Sequence, residues 1–152
     1  MKKILGSLLA LSILFVLSAC GTSKVPTIVK EEVLTCNGVQ EENGLKMDTT
    51  TILTFKGEKI TKMHMQVDTS VEEKYAQYSD QIKESIEKEY ENYKQNGATV
   101  EITVDGAKIT AKIDMNLETM TDEQKKNLEV SNLGGSKEAN KKEFESSGYT
   151  CK

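Results

Sequence analysis

The sequence predicts an α+β domain in which an antiparallel sheet of about five strands, a meander followed by a hairpin, packs one face against one long amphipathic helix. Several short segments alternate apolar and polar side chains, which is typical of half-buried strands. Tight-turn pairs such as Asn43-Gly44 and Asp105-Gly106 separate these segments. A central segment instead has apolar residues at steps of three and four, which indicates a helix. The two layers are expected to bury their apolar faces against each other.

The meander is expected to contain three strands, over residues 31–39, 47–55 and 60–67. Asn43-Gly44 marks the first turn, and the Lys-Gly-Glu-Lys segment over residues 56–59 marks the second. In the third strand, Met63 and Met65 share one face and His64 takes the other, because successive side chains alternate across a strand.

A single helix of about six turns is expected between Ser70 and Gly97. Ser70 with Glu73 three residues later matches a capping box, and Gly97 provides a left-handed stop. Such a helix is long enough to cross a small sheet. Its apolar stripe consists of Val71, Tyr75, Tyr78, Ile82, Ile86, Tyr90 and Tyr93.

The rest of the chain is expected to form a hairpin and short C-terminal helices. The hairpin strands, residues 100–104 and 109–115, meet at Asp105-Gly106. Residues 121–129 and 136–147 are predicted as short helices separated by Gly134-Gly135. Their apolar content is small, so we expect both helices to lie on the surface.

The N-terminus has the parts of a bacterial export signal. Two lysines form a positive segment, residues 4–16 form an apolar segment too short to span a bilayer, and Ser18-Ala19 are the small residues that a signal peptidase needs. Cys20 follows directly, so the pattern resembles a lipobox. This resemblance implies a diacylglyceryl group on Cys20 and a protein anchored at the extracytoplasmic face of the cell membrane. The agreement of all these parts favours a lipobox over an ordinary secretory signal with an incidental cysteine.

These features divide the chain into a signal peptide over residues 1–19, a lipidated tether over residues 20–30 and one domain over residues 31–152. The net charge is −4, and every basic residue is a lysine. An acidic chain without a clustered basic face is not expected to bind nucleic acid or anionic lipid. Attachment to the membrane is therefore assigned to the lipid.

Cys36 and Cys151 are the two cysteines left once Cys20 is assigned to the lipid. In an oxidising compartment, a pair of cysteines near the two ends of a domain favours a structural disulfide over two free thiols. A redox role is not expected, because the chain has no Cys-x-x-Cys motif.

Several features together resemble the YehR-like family of small bacterial lipoproteins. They are the lipobox at Cys20, the early Thr35-Cys36, the Lys-Gly-Glu-Lys turn, the helix tyrosines Tyr75 and Tyr78, the strand pair, and the terminal Cys151. The resemblance implies lipidation at Cys20, and Cys36 and Cys151 resemble the paired cysteines of the family. The family has no assigned activity, so the resemblance bears on fold and location and adds nothing on mechanism.

Two groups of side chains are candidates for a ligand site. Tyr75 and Tyr78 offer flat apolar rings with polar tips, which suit a ligand groove, although such a stripe also packs a helix on a sheet. The thioether and imidazole groups of Met63, His64 and Met65 suit Cu(I), but alternation separates the methionines from the histidine. We therefore expect the methionines to pack in the core, with no metal or other cofactor bound.

An enzyme is not expected from this sequence. The chain has one histidine, and it has no calcium loop, phosphate loop or nucleophile elbow. The favoured function is a binding or interaction module at the cell surface, with an unknown protein or small ligand as its partner. The alternatives are a structural lipoprotein that maintains the envelope through a protein partner and, less favoured, a metal-handling lipoprotein.

Overall fold

The computed structural model describes residues 29–42, 45–130 and 133–152. The predicted signal peptide, Cys20, most of the predicted tether and the Asn43-Gly44 turn lie outside the described residues. The described ranges cover nearly all of the predicted domain, so its layers and strand register can be followed residue by residue.

In the described residues, six strands form one sheet: β1 (Glu31–Glu42), β2 (Leu45–Lys56), β3 (Lys59–Val71), β4 (Thr99–Asp105), β5 (Lys108–Asn116) and β6 (Thr150–Cys151). Their order across the sheet is β4-β5-β3-β2-β1-β6, and all neighbouring pairs are antiparallel. The predicted meander and hairpin are confirmed, but the expected number of about five strands is wrong. The additional strand, β6, has two residues, which is too short to give an alternating pattern.

The register divides the sheet into an apolar inner face and a polar outer face. On the inner face, Leu53, Met63 and Met115 lie side by side across β2, β3 and β5. On the outer face, His64 of β3 lies beside Asp114 of β5. The buried apolar side chains of the sheet form one core cluster with side chains from the helices and connecting segments, so the core sits on the inner face.

The described residues contain five helical segments: a 3-10 helix over Glu73–Tyr78, α1 (Ser79–Glu89), α2 (Glu91–Gln95), α3 (Asp122–Asn127) and α4 (Lys137–Ser146). The expected single long helix is therefore wrong. Strand β3 continues through Ser70, the expected helix cap, because Val71 pairs with Leu45 and donates its N–H to the carbonyl of Ala107 at 2.9 Å. No helix of the described part is both long and apolar enough to cross a bilayer.

The helical layer also breaks at Tyr90, between α1 and α2. Its backbone has φ −86° and ψ 0°, in the bridge region rather than the helical one. Around this break, Tyr90 and Tyr93 both pack against the core, and their rings meet edge to face with centroids 5.5 Å apart. The predicted stop at Gly97 is confirmed, since its φ is +89° and Ala98 donates its N–H to the Tyr93 carbonyl at 2.9 Å.

The predicted disulfide joins Cys36 of β1 to Cys151 of β6. The two cysteines are paired across the strands. Beside them, Thr35 and Lys152 exchange two backbone hydrogen bonds of 3.0 and 2.9 Å. The bridge therefore holds the end of the chain against the first strand, as the pairing of these cysteines predicts.

Helix α4 packs over β1 next to this disulfide. The ring of Phe144 meets that of Tyr149 edge to face at 5.4 Å, and Tyr149 lies against Gly38. A methyl group at Gly38 would stand 2.6 Å from Cε1 of the Tyr149 ring. Leu128, directly after α3, is buried as well. The C-terminal helices and their flanking residues thus contribute more to the core than their sparse apolar residues predict.

Candidate functional site

A cavity of about 390 Å³ lies between α1 and the inner face of the sheet. The sheet wall is formed by Leu45 and Met47 of β2, Val67 and Thr69 of β3, and Ile109 and Ala111 of β5. Cross-strand pairing brings these residues together, because Thr69 lies between Met47 and Ile109 in the register. Thr69 therefore lies in the middle of this sheet wall, which forms the floor of the cavity.

The small side chain of Ala111 helps to explain why this space is open. Along the inner face of β5, Ala111 stands between the much larger Ile109 and Ile113, and across the sheet it pairs with Val67. Protein interiors are normally packed with few voids larger than a water molecule. A cavity of about 390 Å³ is therefore a feature that a ligand can use.

The helical wall comes from one side of α1 and the residue that follows it. Ile82, Ile86 and Tyr90 recur at steps of four and present one continuous apolar surface. Ser85 and Glu89 line the same wall. The Ser85 hydroxyl donates a hydrogen bond of 3.1 Å to the backbone carbonyl one turn earlier, so it is already used within the helix.

The hydroxyl of Thr69 is the polar group on the sheet side of the cavity. Thr69 is only 4% exposed, and in the described part of the chain no hydrogen-bond partner is found for its hydroxyl. Among the described residues, every side-chain oxygen or nitrogen that is completely buried has a hydrogen-bond partner. A hydroxyl without a partner must therefore be in contact with open space. The hydroxyl of Thr69 therefore opens onto the cavity, where a polar ligand atom or a water can bind it.

The charge at the cavity comes from Glu89, the only charged side chain among the described residues that line it. Burial, together with the negative charges of Glu89 and of ionised Tyr93, raises the pKa of Tyr90 to about 12. Burial also raises the pKa of Tyr93, with additional effects of Glu89 and Glu129. The Tyr90 phenol is therefore neutral near pH 7, and the carboxylate beside it makes this end of the cavity acidic.

Of the two tyrosines proposed from the sequence for a ligand groove, the structure describes the side chain of one, Tyr78. Tyr78 belongs to the 3-10 helix, is 44% exposed and is not among the described residues that line the cavity. Tyr75 is in the same helix, but its side chain is outside what the structure describes. The tyrosine at the cavity is Tyr90, a later member of the predicted stripe. The sheet residues of the cavity were not proposed from the sequence, although a lone alanine within a row of large apolar residues was a signal for them.

The outer face of the sheet carries a second group of polar side chains. His64 and Asp114 approach to 2.7 Å between Nδ1 and Oδ1. Asp68 accepts hydrogen bonds from Thr110 at 2.6 Å and Gln66 at 3.0 Å. Partial burial raises the pKa of Asp68, but these hydrogen bonds and nearby Lys108 outweigh it, so the pKa lies below its usual value. The polar side chains of this outer face therefore form hydrogen bonds with one another, and the face itself is open to solvent.

Met63 and Met65, which the sequence offers as metal ligands but favours as core residues, lie on the opposite face from the histidine. Met63 and Met65 pack against the core, whereas His64 is on the outer face with Asp114. Within the described ranges, no group of three or more His, Cys, Asp or Glu side chains is placed to hold a metal ion. The surroundings of Met63 and Met65 are those of core residues.

Comparison with known proteins finds the same fold in two solved structures. No protein-family model and no curated protein sequence matches this chain. An NMR structure of a protein from Streptococcus pneumoniae TIGR4 aligns with a TM-score of 0.56 and 14% identity, over 81% of this chain and 86% of that chain. The NMR structure of the E. coli YehR protein aligns with a TM-score of 0.55 and 14% identity, over 80% of this chain and 91% of that chain. At this level of identity the likeness concerns the fold alone, and this chain has a YehR-like α+β fold.

Proposed function

We propose that this protein is a lipid-anchored, non-catalytic binding module of the YehR-like family, which holds a small apolar ligand between α1 and the sheet on the extracytoplasmic side of the membrane. The cavity is the observation that carries the proposal. Its volume of about 390 Å³ falls within the usual range of ligand pockets, about 300–1,000 Å³. Most of its lining is hydrocarbon, with a few polar groups at defined positions. This combination is typical of small-molecule sites.

Ligand binding is tested by thermal unfolding of the chain from Thr22 onward, which retains every described strand, every described helix and the disulfide. The panel contains lipids, peptides, cell-wall fragments, small metabolites and metal ions. A ligand present at 100 times its Kd should raise the free energy of unfolding by about 2.7 kcal/mol. A concentration-dependent rise in Tm supports the proposal, and a flat response to every compound contradicts it.

The anchoring part of the proposal rests on the sequence around Cys20, which combines an export signal with a lipobox-like cleavage site. Cys20→Ala should release the protein from the membrane or leave an unprocessed precursor, as judged by cell fractionation and the mass of the product. Ser23→Ala is the matched control, because it changes a residue next to the same region without touching Cys20 or the disulfide. A processed Cys20→Ala protein that stays in the membrane would contradict lipidation at this residue.

One observation favours a second candidate function, which is binding to a protein partner through the edge of the sheet. Strand β4 is at one end of the strand order, and its outer edge is unpaired in the described residues. Its sequence is rich in β-branched residues and contains neither lysine nor proline, and its charged side chains are those of Glu101 and Asp105. An extended partner strand can add to an edge of this kind.

Crosslinking in native membranes distinguishes this second function from the first. A photoreactive residue at Thr103 of β4 should capture a partner, whereas the same residue at exposed Lys142 of α4 should not. Capture at Thr103 alone, together with no ligand-induced shift in Tm, would favour the protein partner. Equal labelling at both positions would contradict specific pairing through β4.

A further inference from the structure

We infer that the cavity takes an amphiphile with one alkyl chain and an uncharged or cationic polar end, and that Glu89 sets this preference. The inference rests on the proposed function and specifies the ligand class of that site. It follows from how the lining groups are distributed. The side chains of the sheet and of most of α1 are apolar, whereas the one charged group, Glu89, lies at the end of α1.

The walls are suited to hydrocarbon rather than to a polar body. Val67 and Ala111 on the sheet face Ile82 and Ile86 on α1, so aliphatic groups bound the space between them. Transfer of each methylene from water into such a site strengthens binding by roughly fourfold. Affinity should therefore rise with the length of the alkyl chain until the cavity is filled.

The polar end of the ligand is selected by charge. Among the described residues that line the cavity, Glu89 carries a negative charge and none is basic. Glu89 is also the last residue of α1, where the C-terminal end of the helix dipole adds negative potential. A carboxylate or phosphate brought to this end would be repelled by Glu89 and would find no positive charge among the described residues that line the cavity. A cation would gain the carboxylate of Glu89, and a neutral group would lose little.

The lysines of α1 do not supply the missing positive charge. Lys83 pairs with Glu87 at 3.6 Å between Nζ and Oε1. Lys88 lines a separate surface depression together with Glu84, Glu87 and Glu91, away from the cavity. The surface of the helix outside the cavity is therefore also rich in acidic groups. Screening by salt should weaken the preference for a cationic over an anionic ligand without reversing it.

Hydrogen bonding accounts for the polar character of the ligand. The hydroxyl of Thr69 opens onto the cavity floor without a partner among the described residues. The hydroxyl can donate or accept, so a hydroxyl, carbonyl or ammonium group attached to the chain can satisfy it. A plain alkane would leave this group unpaired, and an amphiphile of this class would not.

The test compares three ligands that share one chain length, namely decylammonium, decanol and decanoate, at concentrations below micelle formation and at low salt. Binding to the chain from Thr22 onward is measured by calorimetry. The cation and the alcohol should each bind at least about threefold more tightly than the carboxylate. Glu89→Gln should remove most of the difference between cation and carboxylate while leaving decanol within about twofold. Glu84→Gln, which removes an exposed carboxylate that does not line the cavity, is the matched control and should preserve the difference.

The outcomes separate the ligand class from the existence of the site. Equal binding of cation and carboxylate, tighter binding of decanoate, or a preference unchanged by Glu89→Gln would each overturn the inference and leave the cavity as a binding site. Binding of none of the three compounds would also overturn the inference. The proposed function would then stand or fall on the wider ligand panel, which contains compounds of other classes.

Discussion

Thr69 on β3 and Ile86 on α1 line the same cavity from opposite layers of the fold. The first contributes a hydroxyl without a partner among the described residues, and the second contributes a branched aliphatic side chain. The cavity therefore combines an apolar body with a single polar contact on its floor. Genuinely empty cavities in proteins are apolar, so a ligand atom or an ordered water is expected at the Thr69 hydroxyl.

The disulfide should make a large contribution to stability. Cys36 and Cys151 are 115 residues apart in sequence. In the chain-entropy model, a cross-link over this distance lowers the entropy of the unfolded chain and raises the free energy of unfolding by about 4–5 kcal/mol. We expect reduction to lower the Tm by several degrees or more. The measurement is thermal unfolding with and without a reductant, under conditions that reduce the buried Cys36.

The matched control for reduction is the double variant Cys36→Ala, Cys151→Ala. Its Tm should be low and should not change when reductant is added, because the bridge is already absent. Identical Tm values for the oxidised and reduced forms of the unaltered protein would contradict a stabilising role for the bridge.

The close approach of Tyr149 requires a glycine at position 38. A methyl group there would lie 2.6 Å from the ring, so Gly38→Ala should lower the free energy of unfolding by about 1–3 kcal/mol. Gly134→Ala should cost far less, because nothing stands within 4 Å of a Cβ at that position. Chemical denaturation of the two variants measures the difference.

A double-mutant cycle identifies the ring as the cause. In a Tyr149→Leu background, Gly38→Ala should destabilise the protein less than it does in the unaltered chain, with a coupling of about 1 kcal/mol. Additive effects of the two substitutions would show that the ring does not restrict position 38.

The cavity environment of Tyr90 predicts an alkaline transition. Burial, and the nearby negative charge of Glu89, raise its pKa from 10.0 to about 12. Because the folded-state pKa is the higher one, the contribution of the neutral phenol to stability is complete below pH 10 and is lost as the pH rises through about 12. Tyr90→Phe should therefore remove the late step from a titration followed by tyrosinate absorbance. Persistence of that step in the variant would contradict this assignment.

Local sequence patterns were sufficient for most of the sheet and for one wall of the cavity. The spacing of Ile82, Ile86 and Tyr90 predicted a shared helix face, and that face lines the cavity. The pairing of Cys36 with Cys151 was predictable because lipidation of Cys20 would leave only two cysteines. These features depend on residue type and spacing, which the sequence contains directly.

Other features depended on contacts between distant segments. Val71 fits a helix stripe as well as a strand, and only its pairing with Leu45 and its hydrogen bond to Ala107 place it in β3. The sheet wall of the cavity exists because β5 pairs with β3, so that Ala111 meets Val67. Periodicity within one segment carries no information on such neighbours, so the lone alanine of β5 did not reveal which residues of β2, β3 and α1 complete the cavity.

The most direct test of the proposed site is to fill the cavity with protein atoms. Ala111→Leu places three additional carbons in it and, as a cavity-filling change, should raise the free energy of unfolding by about 0.5–2 kcal/mol. Val67→Ile adds one carbon from the neighbouring strand and serves as a milder second variant. Ala139→Leu, the same substitution at an exposed position of α4, is the control.

The measurement is the ligand-induced shift in Tm for a compound that stabilises the unaltered protein. We expect Ala111→Leu to remain folded and to lose this shift, Val67→Ile to reduce it, and Ala139→Leu to retain it in full. A folded Ala111→Leu protein that still shows the full shift would contradict binding in the cavity between α1 and the sheet.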